Sequence, residues 1–341
     1  MSASPASVLL IASSPSLKPP SFLVPAIVAA TRAARNNLTI LLCSPLFNSG
    51  SPGSINHAQS FHDVQRLLTF VYVQATKVSQ ELNRILLNID VLLRGLDDDY
   101  QFLHELDFDT LFRITGDHIE APIPSRILSL PQTHIDRAED PSAQPQDPSP
   151  SSSAPNIPST YPVVAVGGTF DHLHPGHKIL LSMTLFITSR KVIVGVTHSS
   201  LLRNKSNADL LESLDTRIAN VRKFSKLFRP GLEVYDVVPI DDVYGPTGWD
   251  ADIQALVVSK ETLKGAESSR CFQQDITIVS LTLFITVASH RASKSLPPLK
   301  TFVIDVISHD SADLDDSDHD WLKNAKMSST FIREWIARQK A

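Results

Sequence analysis

The chain has 341 residues, 42% of them hydrophobic, with 31 Lys and Arg against 36 Asp and Glu and a formal charge of −5. That balance supports a folded protein of about two domains and argues against a surface built throughout for nucleic acid. Two cysteines, Cys43 and Cys271, exclude a disulfide scaffold and a cysteine zinc cage and suit a reducing compartment.

The N-terminus lacks the basic stretch of a secretory leader and the arginines of a transit peptide. The longest apolar run, Ile276 to Ala288, is broken by Ser and Thr and falls short of the ~18–20 residues of a membrane span. A cytoplasmic protein without a membrane partner is expected. Val8–Ala12 predicts a strand, Phe22 to Ala34 a helix and Leu38–Cys43 a second strand, a β-α-β order that favours an α/β fold. Val64–Val78 and Glu81–Leu96 are rich in apolar residues and fit either helix or strand. Residues 1–130 carry no glycine-rich phosphate loop and no paired catalytic constellation, so a structural, interaction or regulatory role is expected there.

From Pro131 to Pro162 the chain holds 8 of its 23 prolines among Ser, Asp and Gln. Such a stretch buries too little apolar surface to offset the entropy of ordering it and reads as a disordered linker over 131–161. It separates a smaller α/β region, 1–130, from a second region, 162–341. The second region begins with a strand, Val163–Val166, then Gly167-Gly168-Thr169-Phe170-Asp171-His172-Leu173-His174-Pro175-Gly176-His177, a helix through Lys178–Ser189 and a strand at Lys191–Thr197. Strand, glycine turn, helix, strand is the first unit of a doubly wound parallel sheet. A helix at Leu214–Leu227, strands at Glu233–Val238, Ala255–Ser259 and Thr301–Ile307, a turn at Gly245 to Gly248 and a closing helix at Ser328–Arg338 continue it.

Gly167 and Gly168 let the backbone approach a ligand with no Cβ in the way, and Pro175 suits a first helical turn. His174 and His177, three apart at a helix start, can aim both imidazoles at one phosphate beside unsatisfied backbone N–H groups. Near the end of the chain, Ser328 or Ser329 can cap a helix and surround an anion with hydroxyl and N–H donors. Lys326 and Arg333 add positive charge there. Phe331, Ile332, Trp335 and Ile336 repeat at helical spacing and would pin that helix to a core. His172 has no role that spacing supports.

Gly167 to His177 resembles the HxGH signature of the nucleotidyltransferase superfamily, in the form found in eukaryotic and archaeal phosphopantetheine adenylyltransferases. Leu202-Arg203-Asn204-Lys205 with Arg217 and Val221 to Phe224, Asp241–Asp252 and Val257 to Thr262 are similar to the family's following segments. Met327 to Arg333 resembles its ISSTxIR motif. The motifs run in family order over half the chain. The resemblance implies a Rossmann-like nucleotidyltransferase domain that joins ATP and 4′-phosphopantetheine into dephospho-coenzyme A and pyrophosphate. It implies His174 and His177 at the α-phosphate, with Gly168, Thr169 and Phe170 beside the reacting phosphates. Ser328, Ser329, Thr330 and Arg333 would lie at the β- and γ-phosphates. Thr169 and Lys205 would meet the acceptor, and Arg217 either binds phosphate or forms a helix-surface ion pair. Mg²⁺ is expected with ATP, held mainly by phosphate oxygens and water, with no protein metal site. Association with other enzymes of coenzyme A biosynthesis is a further expectation. No G-x-x-x-x-G-K-[ST] occurs, so the chain resembles the monofunctional, fungal form without a fused kinase. Another acceptor within the superfamily and an inactive, interaction-only paralogue remain as alternatives.

Two stretches depart from the pattern. Ser268 to Ser289 is a β-branched, apolar run that the family pattern does not predict, read as an insertion or a misassigned exon boundary. Asp305 to Asp320 carries seven aspartates with His309 and His319 and reads as a solvated acidic loop.

Overall fold

A computed structural model describes residues 6–51, 53–138, 158–203, 205–259, 286–304 and 327–340. The chain divides into two compact units, Met1–Ser159 and Thr160–Ala341.

In the first unit, β1 (Ser7–Ser13) and β2 (Asn37–Cys43) are near-continuous apolar runs, as strands covered on both faces require. Between them runs α1 (Val24–Ala33), with Pro25 in its first turn. The ambiguous stretch beyond resolves by length. Phe61, Val64, Leu68, Val71, Tyr72, Ala75 and Val78 all face inward along α2 (Phe61–Glu81), whose 21 residues exceed any ordinary strand. Asn88–Arg94 then forms β3, tied to α2 where the Val91 N–H donates to the Tyr72 hydroxyl at 3.1 Å. With β4 (Thr110–Ile114) and, after the short α3 (Ser125–Leu128), β5 (Gln132–Ile135), the strands form one parallel sheet, ordered β3-β2-β1-β4-β5. The sheet thus extends past residue 130 into the stretch read as linker. Gln132–Ile135 lies on its edge, where exposed polar residues next to a proline can still complete a ladder. Residues 139–157 of that stretch lie outside the described residues.

The second unit starts at β6 (Tyr161–Gly168) and continues through α4 (Pro175–Phe186), β7 (Thr188–Thr197), α5 (Leu214–Phe228), β8 (Val234–Ile240), β9 (Ala255–Ser259) and β10 (Lys300–Ile304) to a closing helix, Ser329–Lys340. All five strands are parallel in the order β10-β9-β6-β7-β8. The chain winds outward from β6 to β8, then crosses back to place β9 on the other side of β6. The carboxyl ends of β6 and β9 therefore flank the switch point, where such sheets leave a crevice. Helix α4 ends at Phe186, three residues before the expected Ser189. The β-branched pair Ile187-Thr188 turns the chain at once, with the Thr188 hydroxyl donating to the Thr184 carbonyl at 2.7 Å. Pro162, which has no N–H to give, coincides with a register shift between β6 and β7. Helix α5 is capped by Ser213, whose Oγ accepts the Thr216 N–H at 3.1 Å, with Asp215 in its first turn and Lys226 in its last. Residues 260–285 and 305–326, which hold most of the unpredicted apolar run and the acidic run, lie outside the described residues. A helical segment covers 286–293.

Candidate active site

The loop leaving β6 is held in an unusual shape. Phe170 and His172 both have positive φ, 51° and 44°, which side chains other than glycine adopt only when their surroundings over-determine it. Phe170 is fully buried and folds back over Gly168, where a Cβ would stand 3.1 Å from its ring. The His172 N–H donates to Glu212 Oε2 at 2.8 Å, and its Nε2 to the Leu210 carbonyl at 2.9 Å, which puts the ring proton on Nε2. Thr197 at the end of β7 donates its hydroxyl to the Gly168 carbonyl at 3.1 Å.

That shape delivers two histidines to the start of α4. His174 is the N-cap residue, extended at φ −109° and ψ 170°, with Pro175 next in the helix. No side-chain hydrogen bond caps this helix start among the described residues, as suits a helix N-terminus that meets an anion. The His174 and His177 rings stack with centroids 3.9 Å apart, and Phe170 lies 5.4 Å from His177 on the inner side. Burial pushes the His177 imidazole down to about 3, so it is neutral at physiological pH. Its buried Nδ1 has no hydrogen-bond partner among the described residues. A neutral imidazole can donate a hydrogen bond to a phosphate oxygen through its one N–H, without first taking up a proton.

The second motif comes to the same loop. The Phe331 N–H donates to Ser328 Oγ at 3.2 Å, making Ser328 the cap of the closing helix. Ser329 Oγ donates to the Asp171 carbonyl at 2.8 Å, and Arg333 Nη1 bonds Asp171 Oδ2. Two helix starts, HPGH and SST, are thus fastened to one another at the switch point. Of the four residues expected to pin the closing helix, Ile332 is buried and Phe331, Trp335 and Ile336 are half-buried.

Two arginines depart from expectation. Arg333, expected at the β- and γ-phosphates, is only 2% exposed, and its guanidinium reaches Asp171, the Ser206 carbonyl at 3.0 Å and Thr330 Oγ1 at 3.3 Å. Arg217, expected at a phosphate or in a surface ion pair, is 1% exposed and does not sit on the helix surface. It points under the site, with Nη1 donating to the carbonyls of Thr169 and Thr197, each at 2.8 Å, and Nε to that of Glu212 at 3.2 Å. Nε and Nη1 thus meet three backbone oxygens, one just past the end of β6, one at the end of β7 and one just before α5. Burial lowers the Arg217 pKa, and Asp171 and Glu212 oppose that shift. Lys205 is exposed beside Ser206, on the segment that Arg333 holds. Thr169 contributes its carbonyl to Arg217.

Sequence reasoning assigned nothing to Asp171 and Glu212. Asp171 is fully buried and also accepts the Glu212 N–H at 2.9 Å. Its signal was an acid inside an otherwise apolar and glycine-rich turn, with an arginine in the closing motif to match. Glu212, whose Oε1 accepts from Asn220 at 3.3 Å, had no signal beyond its place before a helix cap.

Comparison with known proteins gives the arrangement relatives. The cytidylyltransferase-like domain family matches residues 165–334. A phosphopantetheine adenylyltransferase of Saccharomyces cerevisiae is 42% identical over 174 residues, 51% of this chain and 48% of that protein. One from Methanopyrus kandleri is 40% identical over 29% of this chain and 61% of its own length. Another, from Methanothermobacter thermautotrophicus, is 31% identical over 44% of this chain and 89% of its own. The matched segment spans about half the length of the yeast relative.

Proposed function

The chain belongs to the phosphopantetheine adenylyltransferase family, and from that membership we propose that its second unit transfers the adenylyl group of ATP to 4′-phosphopantetheine. The observation that carries this reading is the meeting of two helix starts at the switch point, one bearing the stacked His174 and His177 and the other Ser328 and Ser329.

The acceptor phosphate oxygen attacks the α-phosphorus of ATP in line. The new P–O bond forms as the bond from α-phosphorus to the bridging oxygen breaks, and pyrophosphate leaves. No protein nucleophile is needed, so catalysis rests on placement and on stabilising charge that develops on the α-phosphate oxygens. His177, neutral and with a ring nitrogen unengaged, donates to that oxygen, and His174 does so beside the first-turn N–H groups of α4. Ser328, Ser329 and Thr330 take the β- and γ-phosphates at the closing helix. Lys205, exposed at the rim, holds the acceptor phosphate as a point charge. Gly168, Thr169 and Phe170 form the floor, and Arg217 holds that floor from below instead of touching substrate. Mg²⁺ would neutralise charge on the ATP phosphates it travels with. The carboxylates beside the histidine loop suit a phosphate-borne ion and not a protein cage, because Asp171 is held by Arg333 and Glu212 by His172 and Asn220. The free thiol of Cys43 accords with a reducing, cytoplasmic setting, and none of the described helices is long and apolar enough to cross a membrane.

The test is pyrophosphate release from ATP and Mg²⁺ with 4′-phosphopantetheine, nicotinamide mononucleotide or phosphocholine as acceptor, repeated with CTP. Release with ATP and 4′-phosphopantetheine alone, lost in His177→Ala, is the expected outcome. A folded wild-type chain that releases none with that pair rules the proposal out.

A further inference from the structure

We propose that Asp171 is the positioning residue of this site, and that Arg333 is the tie it uses to join three separate segments. Four observations converge on the Asp171 side chain and backbone. The residue is fully buried. Its Oδ2 meets Arg333 Nη1, and its Oδ1 accepts the Glu212 N–H at 2.9 Å. Its carbonyl accepts Ser329 Oγ at 2.8 Å. It stands in the strained turn between Phe170 and His172, three residues before His174. The guanidinium that meets it extends the connection, with Nε on the Ser206 carbonyl at 3.0 Å and Nη2 on Thr330 Oγ1 at 3.3 Å. One buried ion pair thereby fixes the HPGH turn, the loop carrying Lys205 and the start of the SST helix relative to one another. Those segments bear the groups that meet the α-phosphate, the acceptor phosphate and the outgoing pyrophosphate. In-line transfer depends on that spacing, because a displacement of about 1 Å at a reacting group can cost on the order of a hundredfold in rate. Three different guanidinium nitrogens meet the three acceptors, and a single ammonium nitrogen cannot stand in all three places, so lysine does not replace arginine here. A guanidinium 2% exposed and committed to these partners is placed to hold protein to protein, not to wait for phosphate.

The kinetic arm of the test rests on the adenylyl-transfer reading; the exchange arm does not. Wild type is compared with Asp171→Asn, Arg333→Lys and Asp171→Asn/Arg333→Met in the full chain, each well below its unfolding midpoint. The double variant removes both charges together and so avoids stranding one of them in the interior. The two single variants are expected to lose about 10- to 100-fold in kcat, with KM for ATP within about threefold of wild type. The double variant should be no worse than either single, because the pair acts as one unit. Wild-type kcat in Asp171→Asn overturns the proposal. So does an Arg333→Lys enzyme whose defect is a tenfold or greater rise in KM for ATP alone, the mark of a phosphate ligand. If wild type itself releases no pyrophosphate, the adenylyl-transfer reading has failed, and hydrogen exchange decides the tie independently. Faster exchange in Asp171→Asn confined to residues 199–211 and the first turn of the closing helix supports it. Unchanged protection there, or loosening spread through the whole unit, overturns it.

Discussion

Replacing Arg217 by methionine keeps most of the side chain's length and removes every donor it offers. Three backbone carbonyls, those of Thr169, Thr197 and Glu212, then lose a partner at part-buried positions. A fully buried polar group left unsatisfied costs about 1–3 kcal/mol, so three part-buried ones sum to about 3 kcal/mol. The variant no longer has to desolvate a guanidinium that is 1% exposed, which offsets part of that loss. A net destabilisation of about 2 kcal/mol is the expected outcome. For a unit of this size it lowers the thermal midpoint by about 4–8 °C. Circular dichroism during heating reads it directly, with the midpoint taken from the transition of the second unit. Arg217→Lys should fall between methionine and wild type, because one ammonium cannot reach all three oxygens. A methionine variant that melts within a degree or two of wild type but has lost affinity for the acceptor would mean that Arg217 binds substrate, and the brace would be wrong.

Three further outcomes follow from the site and from the first unit. His177 has a folded-state pKa of about 3 against an ordinary value of 6.5, so the unfolded chain takes up this proton first on acidification. Its contribution to stability is complete above pH 6.5 and is lost toward pH 3, at up to about 1.4 kcal/mol per unit. His177→Gln should flatten the dependence of unfolding free energy on pH between 6.5 and 4, and equal slopes for the two proteins would contradict the burial. Lys205→Ala should raise KM for 4′-phosphopantetheine about tenfold or more while leaving the thermal midpoint in place, since Lys205 is exposed; a shifted midpoint with unchanged KM would count against its role. Burial pushes the Cys43 thiol up to about 11, and the Tyr100 hydroxyl lies 3.3 Å from its sulfur. Iodoacetamide at pH 8 should therefore leave Cys43 unmodified in the folded chain and alkylate it in urea, as peptide mass mapping would show. Rapid alkylation of native Cys43 would refute its burial.

The parts of this fold that were legible in the sequence are those that local chemistry dictates. Ala255–Ser259 and the β1 run are strands because buried parallel strands must be apolar on both faces. HPGH and SST were readable as helix starts from a proline, a cap serine and the spacing of the residues that follow. Val64–Val78 was ambiguous because its apolar residues satisfy both periods, and only the continuation to Glu81 settled it as a helix. Gln132–Ile135 was hidden for the opposite reason. Its side chains are ordinary for a linker, and it becomes a strand through backbone pairing with β4. Arg217 could not have been placed, since its partners are carbonyl oxygens that every residue possesses. Asp171 was passed over because an acid in a loop is unremarkable until Arg333, 162 positions away, is brought onto it.

That separation has a consequence for how the protein is made. Every described strand of the second sheet precedes the closing helix, so a nascent chain can lay down those strands and the histidine turn while Asp171 still lacks Arg333, its ion-pair partner. Until the final helix emerges, the turn lacks the Ser329 and Arg333 contacts at Asp171, next to two residues in a disfavoured backbone conformation. The contacts that join the histidine turn to the closing helix therefore form only once the last residues of the chain are made. A chain interrupted before Ser329 would lack the contacts that tie the closing helix to the histidine turn.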